Sequence, residues 1–117
     1  MEQERRNYEL AAIFDSEIEK AELDSHIAEV EKIVNGAGGT VSVTDNWGMR
    51  DFAYPIKKKR SGYYVFYYFD APAETPHKIR DIIKLKEDVL RHMIVISKTP
   101  PPEKTTIGDI ENEQEEV

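Results

Sequence analysis

Thr40–Ile56, TVSVTDNWGMRDFAYPI, then Lys57–Gly62, KKKRSG, then Tyr63–Phe69, YYVFYYF, is the stretch on which the fold turns. Val41 and Val43, and later Phe52 and Tyr54, stand two residues apart, the spacing that sets side chains on one face of a strand. Asn46-Trp47-Gly48 breaks the pattern and predicts a bulge or bend inside one long strand. KKKRSG reads as a polar loop and YYVFYYF as a strand with large side chains on both faces, so the three segments predict a long hairpin. Tyr63, Val65, Tyr67 and Phe69 make one face of its second strand and Tyr64, Phe66 and Tyr68 the other. One set must be core; the other leaves exposed aromatic area, suited to a protein partner first and to base stacking second.

Outward from the hairpin, each side reads as a helix and then a strand. Upstream, Leu23, Ile27, Val30 and Val34 lie at helical spacing with acids on the opposite side. Asp15 or Ser16 can cap that helix, Ser16 and Glu19 have the form of a capping box, and Asn35-Gly36 suits its end. Before it, Asn7–Phe14 alternates Tyr8, Leu10, Ala12 and Phe14 on one strand face. Downstream, Ala71-Pro72 ends the hairpin, Thr75 can cap and Pro76 suits the first helical position, with Ile79, Ile82 and Ile83 expected inward. Asp88–Lys98 supplies the last strand, and the prolines at 100–102 end regular structure.

Strand, helix, strand, strand, helix, strand is the α+β, ferredoxin-like split βαβ arrangement (βαββαβ): a four-stranded antiparallel sheet with both helices on one face. The expected organisation is an N-terminal extension at 1–5, one domain at 6–99 and an acidic, disordered tail at 100–117. The tail reads as a solubilising leftover, with a modification and interaction tail as the alternative.

Composition narrows the function classes. An apolar content of 39%, 33% charged residues and a mean hydropathy of -0.61 predict a small core under a solvated surface. No spanning segment or leader pattern is read from the sequence, and the cytoplasm is the default expectation. The absence of cysteine excludes disulfides, thiolate metal sites and cysteine nucleophiles. A net charge of -7 argues against nucleic acid until its distribution is read. The segment 103–117 holds six acids against one lysine, whereas Arg5–Pro102 carries 15 acids and 15 bases. Glu17–Glu31 has six acids and one lysine; Arg50–Arg60 has five bases and one acid. A neutral domain with a basic side can still bind phosphate.

Catalytic patterns are missing. An acylphosphatase-like site needs a phosphate cradle after the first strand, but Phe14-Asp15-Ser16-Glu17 is acidic and repels phosphate. His26, His77 and His92 have no metal-ligand spacing, and the acids of the first helix lie opposite its apolar stripe, where acids are ordinarily solvated. No catalytic residue, cofactor or metal is expected. Lys57, Lys58, Lys59 and Arg60 form the densest basic run, at the hairpin tip. A second group, Lys78, Arg80, Lys84, Lys86, Arg91 and Lys98 with Arg5 and Arg6, would make a continuous track if it lay along one edge.

Asp45–Lys57, DNWGMRDFAYPIK, resembles the signature of the bacterial small-ribosomal-subunit protein six family, where a Gly, polar positions and a hydrophobic residue precede Ala-Tyr-Pro-Ile. Asn7-Tyr8-Glu9, Gly62-Tyr63, Ala71-Pro72 and Val89–Val95 resemble it too, in the right order, over about residues 6 to 98. Met49 stands where a base is common and Phe52 where Leu is usual. The resemblance implies a non-enzymatic protein that binds the central domain of 16S rRNA with small-subunit protein eighteen; the alternative reading is a free ferredoxin-like module that binds a ligand or a protein without RNA. By position it implies rRNA contacts at Arg6, Arg50, Lys84, Lys86 and Arg91, with Lys57, Lys58, Lys59 and Arg60 as further ones.

Overall fold

A computed structural model describes residues 4–97; Lys98 and the acidic tail, on which the expectation of disorder falls, lie outside the described residues. Six elements follow in order: β1 (Arg5–Asp15), α1 (Lys20–Gly36), β2 (Thr40–Ile56), β3 (Lys59–Pro72), α2 (Thr75–Ile83) and β4 (Val89–Ile96). The strands form one sheet in the order β2-β3-β1-β4, every neighbour antiparallel. This is the expected βαββαβ arrangement.

One face of the sheet is core. Tyr8, Leu10, Ala12 and Phe14 of β1 alternate inward beside Val65, Tyr67, Phe69 and Ala71 of β3. Leu23, Val30 and Val34 of α1 and Ile79 and Ile83 of α2 close over them. Each fully buried Val, Leu, Ile or Phe among them contributes about 1.5–3 kcal/mol by leaving water. The Tyr67 hydroxyl, reaching through this layer, donates to the Ile27 carbonyl at 2.9 Å. Burial, helped by the charges of Glu31 and Asp88, pushes its pKa far up, so it stays a donor.

Local chemistry departs from expectation in several places. α1 begins at Lys20, after Glu19, with no side-chain cap. Asp15 is used otherwise: its carboxylate accepts the Glu17 N–H at 2.9 Å and its own N–H donates to Asp88 O at 2.9 Å, so residues 15–18 form a turn. At the other end of α1 the left-handed residue is Gly38 (φ +105°), not Asn35 or Gly36. Asn35 instead accepts the Val41 N–H at 3.3 Å. Thr75 does not cap α2; it is buried, and its hydroxyl donates to Ala37 O at 2.9 Å, tying the end of α1 to the start of α2. Ile82 is exposed, because a nine-residue helix buries one stripe and Thr75, Pro76, Ile79 and Ile83 fill it.

The hairpin is longer than the polar loop suggested. The turn is only Lys57-Lys58, both left-handed at φ 51° and 69°, and Lys59–Gly62 already belong to β3. Two consecutive positive φ values match a turn of type I′, whose twist fits the flanking strands. The expected bulge is present: the register of β2 shifts between Asn46 and Gly48, with the Gly48 N–H bonded to Asn46 Oδ1 at 3.1 Å.

Candidate interface on the open sheet face

The helices cover one face of the sheet, and the alternate side chains of every strand meet on the other. Rows can be read straight across β2, β3, β1 and β4. The first is Gly48, Tyr64, Ile13 and Arg91; the second is Asp45, Phe66, Ala11 and Met93; the third is Val43, Tyr68, Glu9 and Val95. Tyr64, Phe66 and Tyr68 therefore stand on this face, half-buried, as the alternation required. Residues that periodicity did not assign to this face complete it. Trp47, thrown outward by the bulge, lies on Phe66 with centroids 4.7 Å apart, and Phe52 lies 6.3 Å from Tyr64. Met93 and Val95 are 57% and 45% exposed, an apolar continuation on the edge strand. Their signal was the apolar run Met93–Ile96 on a strand with only one core face; Trp47 had no signal, since the bulge decides its direction.

Gly62 makes this packing possible. A Cβ there would stand 2.6 Å from Ile13 Cγ2 and 2.8 Å from Phe52 Cζ, so any side chain would push the aromatic layer off the sheet.

Arginines border the aromatics. Arg50, opposite Gly62, holds its guanidinium carbon 5.4 Å from the Trp47 centroid, within cation–π range. Arg60, two residues before Gly62 on β3, shares the face by alternation, and Arg91 flanks Ile13 from β4. Among the described residues none of these three has a carboxylate within 4.0 Å.

The other basic positions fare differently. Lys86 is largely buried, with its ammonium 2.8 Å from Glu29 and 3.4 Å from Asp88. Burial would lower its pKa, but the two carboxylates more than offset that and hold it above the ordinary lysine value. Lys59 reaches Glu17 at 2.9 Å and Asp15 at 3.5 Å, and the bond to Glu17 leads in raising its pKa. Lys84 keeps a loose, exposed pair with Asp81 at 3.7 Å. Lys57 and Lys58 are exposed at the turn. Arg5 is bound by Asp70 at 3.1 Å. Arg6 is exposed seven residues along β1 from Ile13, about 23 Å from Arg91 at ~3.3 Å per residue and on the opposite face. The bases thus form no single edge track. They divide among arginines without carboxylate partners on the open face, Lys59 and Lys86 held in ion pairs inside the fold, and the scattered exposed positions Arg6, Lys57, Lys58 and Lys84.

The histidines gather no free site. His26 Nδ1 lies 2.7 Å from Asp88, and His26, Glu29 and Asp88 bring ligand atoms within 4.8 Å of one another, but the Lys86 ammonium already serves as their cation. His92 is half-buried on β4, its pKa lowered by burial and by Arg80 and Lys57. His77 pairs loosely with Asp81 on the surface of α2.

Comparison with known proteins agrees with this fold. Residues 7–96 match the model of the family described as ribosomal protein S6. A small ribosomal subunit protein bS6 of Carboxydothermus hydrogenoformans is 38% identical over 90 residues, covering 77% of this chain and 94% of that one. One from Hyphomonas neptunium is 37% identical over 99 residues, covering 81% and 88%. In fold, a crystal structure of 30S ribosomal protein S6 from Thermotoga maritima aligns with a TM-score of 0.77 at 23% identity, over 93% of this chain and 94% of that one. From the family match and these relatives, the chain belongs to the ribosomal protein S6 family, non-enzymatic structural proteins of the small ribosomal subunit, cytoplasmic and ribosome-associated.

Proposed function

We propose that this small-subunit protein scaffolds RNA as one half of a protein pair: its open face takes small-subunit protein eighteen, and its free bases take phosphates of the central domain of 16S rRNA. The observation that carries the reading is the open face itself, where Tyr64, Phe66 and Tyr68 present aromatic area bordered by Arg50, Arg60 and Arg91 without carboxylate partners among the described residues. An aromatic and aliphatic centre with a charged rim is the anatomy of a protein interface, and unpaired arginines at its rim suit phosphate oxygens. Arg6, Lys57, Lys58 and Lys84, all exposed, are the outlying phosphate-binding positions. Lys59 and Lys86 drop from the set, because taking a phosphate would mean breaking ion pairs already made. The working unit is the expected domain of residues 6–99 together with Arg5, which pairs in β1 with Pro72 and binds Asp70, and the tail 100–117 is outside it.

The body is neutral and its free basic residues few, so RNA affinity alone is weak and the partner supplements it. The test is binding of a central-domain RNA fragment, with and without protein eighteen, across a salt series. Arg50→Glu with Arg91→Glu should weaken the ternary assembly at least about tenfold, and the slope of log affinity against log salt should become shallower by about one for each phosphate left unneutralised. Tight binding without protein eighteen, or an unchanged salt slope in the double variant, would overturn the proposal.

A further inference from the structure

We propose that the acidic segment Glu103–Val117 docks on the open face of its own chain, covering the Trp47–Phe66 pair and setting its carboxylates against Arg50, Arg60 and Arg91. This rests on reading that face as the partner surface, and it makes the tail an internal competitor for it.

Three observations converge. The face combines aromatic area with three arginines that lack carboxylate partners among the described residues. The segment from 103 to 117 has the complementary chemistry: six acids against Lys104, with Ile107 and Ile110 set among Asp109, Glu111 and Glu113. The third is reach. The Ser97 N–H, bonded to Asn7 O at 2.8 Å, fixes where the chain leaves the sheet. Asn7 lies six residues along β1 from Ile13, the neighbour of Arg91, about 20 Å at ~3.3 Å per residue. Ten residues, from Ser97 to Ile107, span up to about 33 Å when extended, so the acidic stretch lies within reach of Arg91.

Exposed ion pairs are individually weak, but a tethered segment faces its site at about millimolar effective concentration. The outer side of α1, with four of the six acids between Glu17 and Glu31, repels it, and the exposed bases elsewhere, Arg6, Lys57, Lys58 and Lys84, offer charge without the aromatic area of the open face. Anionic and partly apolar, the tail mimics what the face would meet on the ribosome, a phosphate backbone beside a protein surface. Partner and RNA together displace it, whereas stray polyanions bind less well while it is in place.

Trp47 is the only tryptophan in the chain and lies at the centre of the proposed contact, so its emission reports docking directly. The full chain is compared with a chain ending at Pro102 at about 50 mM and about 500 mM salt, where the Debye length differs about threefold. At low salt the full chain should emit at shorter wavelength, and the amide and indole NMR signals of Trp47, Arg91 and Met93 should differ between the two chains. The differences should vanish at high salt and when both chains carry R50A, R60A and R91A. A synthetic peptide of residues 103–117 added to the shortened chain should reproduce the shifts, and a version with every acid replaced by its amide should not. Coincident low-salt spectra, or equal binding of the neutral peptide, would overturn the docking. If the face is free a tenth to a third of the time, the shortened chain should bind the RNA fragment with protein eighteen about three- to tenfold more tightly at low salt. Equal affinities would overturn the competition. Failure of both chains to assemble with RNA would overturn the proposed function instead, while the spectra would still decide whether the tail docks.

Discussion

Gly62 has no room for a side chain, and the reason is functional as much as structural. A Cβ would meet Ile13 and Phe52 on the open face and come 3.0 Å from the Phe14 carbonyl behind it. Gly62→Ala should therefore lower stability by about 1–3 kcal/mol, the cost of overpacking, and displace Phe52 from Tyr64, as a denaturant melt and an aromatic NMR spectrum would show. Lys86 is the opposite case, a residue whose chemistry misleads until its neighbours are known. Lys86→Met leaves Glu29 and Asp88 without their cation and should cost about 1–3 kcal/mol in a urea melt while leaving RNA affinity at low temperature within about twofold. His92 predicts a pH effect. Its folded pKa lies below the unfolded value, so the unfolded chain takes up the proton first, and its share of stability, complete above the ordinary imidazole range, is lost as pH falls through that range. Stability measured from pH 7.5 down to 5 should fall less in His92→Gln than in the parent; parallel curves would count against this.

At the scale of elements, the β2–β3 hairpin holds the clearest conflict between local preference and fold. Lys57 and Lys58 both occupy left-handed backbone, which a side chain disfavours, and twist-matched pairing of the flanking strands keeps them there. Replacing the pair with Asn-Gly should raise stability by about 1 kcal/mol, read as a higher denaturant midpoint with unchanged slope. The tight turn is hidden in the sequence for the same reason: nothing in KKKRSG carries the Asn-Gly signal of a two-residue turn, so the run looks like a longer loop. The start of α1 is hidden by a related conflict. Ser16 and Glu19 have the spacing of a capping box, but the backbone of Asp15 is held by Asp88 from the far end of the chain, so residues 15–18 make a turn and the helix waits until Lys20.

Across the whole molecule, sequence periodicity determined the element order, the inward face of β1, the buried stripe of α1 and the division of β3 into core and open faces; given right-handed crossovers, those patterns leave little choice of topology. The family, too, was legible in Gly48–Ile56 and its flanks. Tertiary structure alone decided which charges are free. Lys86 and Arg91 are equally basic in the sequence, but one meets acids from α1 and from the approach to β4, while the other stands on an open face with none in range among the described residues. It also decided that Trp47 and Phe52 join the aromatic surface and that Arg6 and Arg91 are separated by the length and the thickness of the sheet. The physical reason is range: strand and helix periodicity is set by neighbours a few residues apart, whereas an ion pair or an interface joins residues dozens of positions apart, and only the folded chain brings them together.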